Sequence, residues 1–131
     1  MDLSALRHSA SHVMAQAVKS LWPDAKLGIG PSIEDGFYYD FDKEDPFSPE
    51  DLDLIGARMR EIIKKNYKFE NKEMKKAEAV KLFKKMKEKY KVELIDKIPG
   101  DTVTIYQDGD FVDLCRGPHI ESTGQIKAFK L

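Results

Sequence analysis

His8 and His12 stand four residues apart in Arg7-His8-Ser9-Ala10-Ser11-His12. On a helix that spacing stacks two imidazoles on one face, one turn apart and able to address a single atom. The third histidine of the chain, His119, follows its only cysteine by four residues in Cys115-Arg116-Gly117-Pro118-His119. Gly117 and Pro118 argue against a helix across this second pair, so a strand end and a tight turn must place it. Three imidazoles and one thiol form a tetrahedral zinc set by chemistry, although their spacing is not that of a structural zinc finger. Residue types and spacing alone leave three readings open. These are a catalytic zinc, a metal-free polar site, and coincidence, with the histidines split between surface and core and Cys115 a buried small residue.

Elements must position these groups. Val13, Met14, Ala17, Val18 and Leu21 recur at three- and four-residue steps, which places His8 and His12 on an amphipathic helix ending near Trp22-Pro23. Trp22 reads as a core residue. Leu27-Gly28-Ile29-Gly30-Pro31 reads as a loop or bent strand approached closely by a neighbour or a ligand. Gly36-Phe37-Tyr38-Tyr39-Asp40-Phe41 reads as one strand with Phe37, Tyr39 and Phe41 on the core face. Ser48-Pro49-Glu50-Asp51 combines an N-cap serine, a proline at the first helical position and acids in the first turn. A second helix is therefore expected over about Pro49 to Lys65, burying Leu52, Ile55, Met59, Ile62 and Ile63. A short strand between Tyr67 and Met74, a third helix over about Lys76 to Lys89 and a strand over Lys91–Ile95 should follow. Thr102 to Leu114 reads as a hairpin around Asp108-Gly109, with Phe111, Asp113 and Cys115 on one face. Ile120 to Leu131 reads as a tail holding one more short strand. Helices mixed with antiparallel hairpins predict an α+β domain, its helices packed on a curved, mainly antiparallel sheet.

The 131 residues suit one domain, 1–131. A hydrophobic content of 41% is that of an ordinary globular chain, and no apolar run reaches the length of a membrane span. With no signal-peptide pattern at the N-terminus, the expected location is cytoplasmic. One cysteine forms no internal disulfide. The net charge of −1 conceals an uneven distribution. Residues 32–57 carry nine acids against Lys43, and residues 58–91 carry fourteen basic residues against five glutamates. The basic segment suits phosphates, or is simply a solvated helix face. A near-neutral whole is a poor nucleic-acid binder on its own, because non-specific affinity comes from neutralised phosphates.

The blocks Arg7 to His12, Leu21-Trp22-Pro23, Ile29-Gly30-Pro31, Gly36 to Asp40 and Val112 to His119 together resemble the editing domain of bacterial threonyl-tRNA synthetase, in order and over essentially the whole chain. More distantly they resemble the alanyl-tRNA synthetase editing domain and free-standing alanyl deacylases. The resemblance implies a common editing-domain fold and hydrolysis of the ester in seryl-tRNA(Thr). It implies a central cluster of His8, His12, Cys115 and His119, a pocket lysine at Lys91, and substrate contacts at Gly30, Tyr39 and Asp113. On this basis water held by His8, with help from Lys91, attacks the ester carbonyl. Lys91 stabilises the oxyanion or assists the leaving ribose hydroxyl, Asp113 holds the substrate amino group, and Cys115 positions. No metal is required on the threonyl pattern, whereas the alanyl relatives hold zinc on the same four residues. The partners implied are the tRNA(Thr) 3′ end carrying serine and the remainder of the synthetase, whose ATP and zinc sites lie in a catalytic domain outside this chain; no membrane is implied. The alternatives are a free-standing zinc deacylase acting on serine or glycine carried by tRNA(Ala), and a non-catalytic module that binds the acceptor end.

Overall fold

The computed structural model describes residues 3–28, 32–33, 36–114 and 119–131. Among these, the α+β expectation holds as four helices, a three-stranded antiparallel sheet and two two-stranded antiparallel ribbons. Helix α1, Leu3–Leu21, lies at the centre, with Ser9, Ala10, Ser11, His12, Val13, Ala15, Ala17 and Val18 all buried. Burial on so many sides follows from small side chains, which let neighbours approach the helix from several directions. Its main partner is α2, Pro49–Lys65, whose bounds are those expected from the sequence. There the Ser48 hydroxyl accepts from the Asp51 N–H while the Asp51 carboxylate accepts from the Ser48 N–H. This reciprocal cap satisfies two otherwise orphaned donors. Ile55, Met59 and Ile62 face the core, but Leu52 is 41% exposed and does not belong to the buried stripe.

Strands β1, Lys26–Leu27, and β4, Phe41–Asp42, form one ribbon; β2, Ser32–Ile33, and β3, Gly36–Phe37, form the other. The single strand expected over 36–41 is thus two short ones with different partners. Its alternation survives, since Tyr39 is buried while Tyr38 and Asp40 are exposed. Gly28 answers the sequence signal for close approach. Its N–H donates to the Asp40 carbonyl, and a Cβ on it would sit 3.0 Å from that oxygen.

The main sheet has the order β5, Glu70–Lys75, then β6, Thr102–Asp108, then β7, Phe111–Leu114. The expected hairpin is present. Asp108 pairs with Phe111, so Gly109 and Asp110 form the loop and Gly109 supplies the positive φ of 54°. Two helices share a core cluster with β6. Helix α3, Lys76–Lys85, stops earlier than expected, and Lys87 turns the chain with φ 60°. The segment Lys91–Ile95, expected as a strand, lies in helix α4, Lys89–Lys97. Five residues that alternate also satisfy a helix when the two most buried, Lys91 and Ile95, are four apart. The tail contains a 3₁₀ turn, Thr123–Gln125, in place of the expected strand. Thr123 fixes it, its hydroxyl donating to the Ile62 carbonyl and accepting from the Tyr67 N–H.

Asp108, at the end of β6, is fully buried. Burial pushes its carboxyl up to about 6, more than the side chains of Gln16 and Tyr106 offset. A folded-state value above the unfolded one contributes stability that is complete below about pH 4 and is lost as pH rises through 6. Two pH units correspond to about 3 kcal/mol. Asp108→Asn is therefore expected to raise the urea midpoint at pH 8 and to change it little at pH 4. An equal effect at both pH values would refute the assignment.

Candidate active site

The three histidines converge. On α1 the rings of His8 and His12 stack with centroids 4.9 Å apart, and the His119 ring lies 4.9 Å from His8 and 5.0 Å from His12. One nitrogen from each ring can be chosen so that all three lie within 4.8 Å of one another. The helix supplies the first two by its four-residue repeat. Ser9, between them, holds the third in place, because its buried hydroxyl oxygen accepts the N–H of Ile120, the residue after His119. Ser9→Ala should lower stability by about 1–3 kcal/mol by leaving that buried N–H unbonded. Chemical denaturation measures this, and a change under a few tenths would show that the bond contributes nothing.

Tyr106, fully buried on β6, forms the floor. Its ring stacks on His119 at 4.1 Å and lies 4.4 Å from His12, with Phe69 stacked on Tyr106 at 5.1 Å. The surroundings are aromatic. Burial lowers His8 to about 4, with the neighbouring His12 adding to the shift and Asp113 opposing it. His119 falls to about 3 for the same leading reason, with His12 and His8 both lowering it further. Both are neutral imidazoles at pH 7.

Beside the histidines lies a closed ionic network. Asp113 on β7 is fully buried, and Lys91 on α4 is 3% exposed. The Lys91 ammonium donates to the Gly28 carbonyl at 2.7 Å and to the Tyr39 hydroxyl at 2.8 Å, and meets Asp113 Oδ1 at 2.6 Å. Asp113 Oδ1 also accepts from the Leu114 N–H, while Oδ2 accepts from Tyr39 at 2.6 Å and faces His12 Nδ1 at 2.9 Å. Burial alone would raise the Asp113 carboxyl; Lys91 and His12 outweigh it and hold the group well below the usual carboxylate range. With three partners on the ammonium and both carboxylate oxygens engaged, Lys91 and Asp113 face each other and not an open pocket.

The structure thus gathers His8, His12, His119, Lys91, Tyr39 and Asp113 into one site. Gly30 and Cys115 lie outside the described residues. Sequence reasoning passed over Ser9 and Tyr106. Ser9 had one signal, its place on the buried face of α1; Tyr106 had only strand alternation, which marks burial and not contact with an imidazole.

The donor set fits a metal. His12 Nε2 and both nitrogens of His119 are buried without a hydrogen-bond partner among the described residues. A carboxylate behind His12 Nδ1 is the usual support of a metal-bound imidazole.

Residues 103–131 match the family described as the threonyl and alanyl tRNA synthetase second additional domain. Over nearly all its length the chain is similar to threonine–tRNA ligases. It is 60% identical to that of Acetivibrio thermocellus over 128 residues, 97% of this chain. The ligases of Citrifermentans bemidjiense and Magnetococcus marinus are 60% and 56% identical, each over 98% of the chain. Over that length this chain matches a segment of threonine–tRNA ligases. It spans 20% of the length of each of those relatives. Among the described residues, no helix is long and apolar enough to cross a membrane.

Proposed function

We propose that this segment is a single editing module of a longer cytoplasmic synthetase, and that it hydrolyses the ester joining serine to the 3′-terminal adenosine of tRNA(Thr). The observation that carries this reading is the convergence of three imidazoles beside the Lys91–Asp113–Tyr39 network. The need for such a site is energetic. Serine lacks one methyl of threonine, and one methyl changes binding by only about 1–3 kcal/mol, too little to exclude serine in a single selection. A second pocket that rejects threonine by a clash with that methyl reverses the selection.

In this reading a water lies between His8 and His119. Its oxygen attacks the ester carbonyl and its proton passes to an imidazole. The tetrahedral intermediate then breaks the bond to the ribose oxygen, which takes the proton back, releasing serine and a tRNA with a free hydroxyl. Imidazoles shifted as low as His8 and His119 are weak bases, so their larger contribution is to place the water. Lys91 and Asp113 act in this arrangement by orienting Tyr39 and His12, in place of the direct substrate contacts expected from the resemblance. Gly30 and Cys115 keep only the roles that the resemblance implies. Should zinc bind, His8, His12 and His119 would hold it, with Cys115 as the implied fourth ligand, and it would supply a polarised water.

Single-turnover deacylation of seryl- and threonyl-tRNA(Thr), with and without chelator, tests the proposal. Loss of serine alone, insensitive to chelator, is expected. Chelator-sensitive cleavage would favour the zinc reading, and cleavage of serine or glycine from tRNA(Ala) would favour the alanyl type. Binding without any cleavage would leave an acceptor-end binding module.

A further inference from the structure

The junction between α3 and α4 holds a buried carboxylate that the reaction above does not use. Glu88 sits in a lysine-rich stretch, yet its side chain is completely buried. Burying a charged carboxylate is costly unless it is paired and hydrogen-bonded. Here it is both: Oε1 accepts the Leu27 N–H at 3.0 Å, and Oε2 meets the Lys19 ammonium at 2.9 Å. Lys19 in turn donates to the Ala25 carbonyl at 2.7 Å. One carboxylate therefore ties the start of α4 to α1 and to β1.

Its position relative to Lys91 gives this tie a direction. Glu88 is the N-cap residue of α4, and its carbonyl accepts from the Lys91 N–H at 3.1 Å. An acidic N-cap side chain ordinarily accepts from its own helix. Glu88 makes no such bond and turns toward β1 instead. One turn later the Lys91 ammonium takes the carbonyl of Gly28, the residue after Leu27. Two side chains on one turn of α4 thus clasp consecutive residues of one segment, fixing the register of the helix against it.

We propose that Glu88, paired with Lys19, is a positioning residue for Lys91, setting the height at which the ammonium meets Asp113 and Tyr39. The catalytic consequence rests on the editing reading; the placement of Lys91 does not. Glu88→Gln keeps an oxygen for the Leu27 N–H and removes the charge facing Lys19.

Two readouts on this chain decide the matter. The first is the ¹H–¹⁵N signal of the Lys91 ammonium, expected to be sharp and exchange-protected in the wild type and broadened or shifted in Glu88→Gln. The second is seryl-tRNA(Thr) hydrolysis. Its single-turnover rate should fall about tenfold to a hundredfold, as when the groups that Lys91 orients are displaced on the ångström scale, with half-saturation unchanged. In a Lys91→Met background Glu88→Gln should cost nothing further, because the two act through one group. Lys19→Met should reproduce both effects if Glu88→Gln does not fold, and Lys19→Arg should restore them. An unchanged Lys91 signal, or rate losses that add in full, would overturn the proposal. If the wild type hydrolyses no charged tRNA, the editing reading fails, and the ammonium signal still decides whether Glu88 places Lys91.

Discussion

Lys91→Met is expected to cost the chain about 3–5 kcal/mol of stability, the usual result of removing one partner from a buried ion pair. The residual charge is what makes it severe. Asp113 remains fully buried, and among the described residues it keeps Tyr39, His12 and the Leu114 N–H as partners. In the wild type Lys91 and His12 overcome burial and hold the Asp113 carboxyl below its ordinary range. Its stabilising contribution is therefore present above about pH 4, and is lost only as pH falls through the lowered folded-state value. Without Lys91 the balance reverses. Burial then raises the Asp113 carboxyl, so the variant should gain stability as pH falls from 8 to 5, where this group gives the wild type no gain. Urea midpoints at the two pH values measure the difference. The double variant Lys91→Met, Asp113→Asn removes the stranded charge and should recover most of the stability without recovering hydrolysis. Equal stability of the single variant at pH 5 and pH 8 would mean that Asp113 finds another counter-charge.

The same pair shows what the sequence made legible and where it stopped. Local signals transferred well. Ser48-Pro49 with two acids placed α2, and the four-residue spacing of His8 and His12 placed two imidazoles on one face of α1. Those signals are short-range physics, caps and helical periodicity, and they survive folding because nothing tertiary opposes them. Lys91 shows the limit. Its neighbours alternate over too few residues to separate strand from helix, and the decision was made by contacts far along the chain, among them Leu27 and Gly28. Glu88 carried no signal either, since a glutamate among lysines reads as solvated surface until a partner such as Lys19 is brought to it. The convergence of His119 on His8 was suggested by residue chemistry alone. The bond that achieves it, from the Ile120 N–H to Ser9, spans 111 residues and has no sequence signature.

His8→Ala should lower the single-turnover rate of seryl-tRNA(Thr) hydrolysis by about 10²-fold, the loss associated with a reacting group misplaced by about an ångström. Stability should change by less than about 1 kcal/mol, because His8 is only half-buried and the change opens no core cavity of the kind left by truncating an interior residue. That separation distinguishes the three imidazoles. His12 is 3% exposed, faces Asp113 and packs against Tyr106, so His12→Ala should lose stability together with rate. His119 stacks on Tyr106 and carries two buried nitrogens without hydrogen-bond partners among the described residues. Removing its ring therefore deletes unsatisfied polar atoms as well as a stacking contact, and His119→Ala should cost rate with a smaller penalty in stability than His12→Ala. Threonyl-tRNA(Thr) should stay resistant in all three variants, since the methyl clash does not depend on how the water is held. A His8→Ala chain that cleaves at the wild-type rate would place the water elsewhere, on His119 and His12 alone.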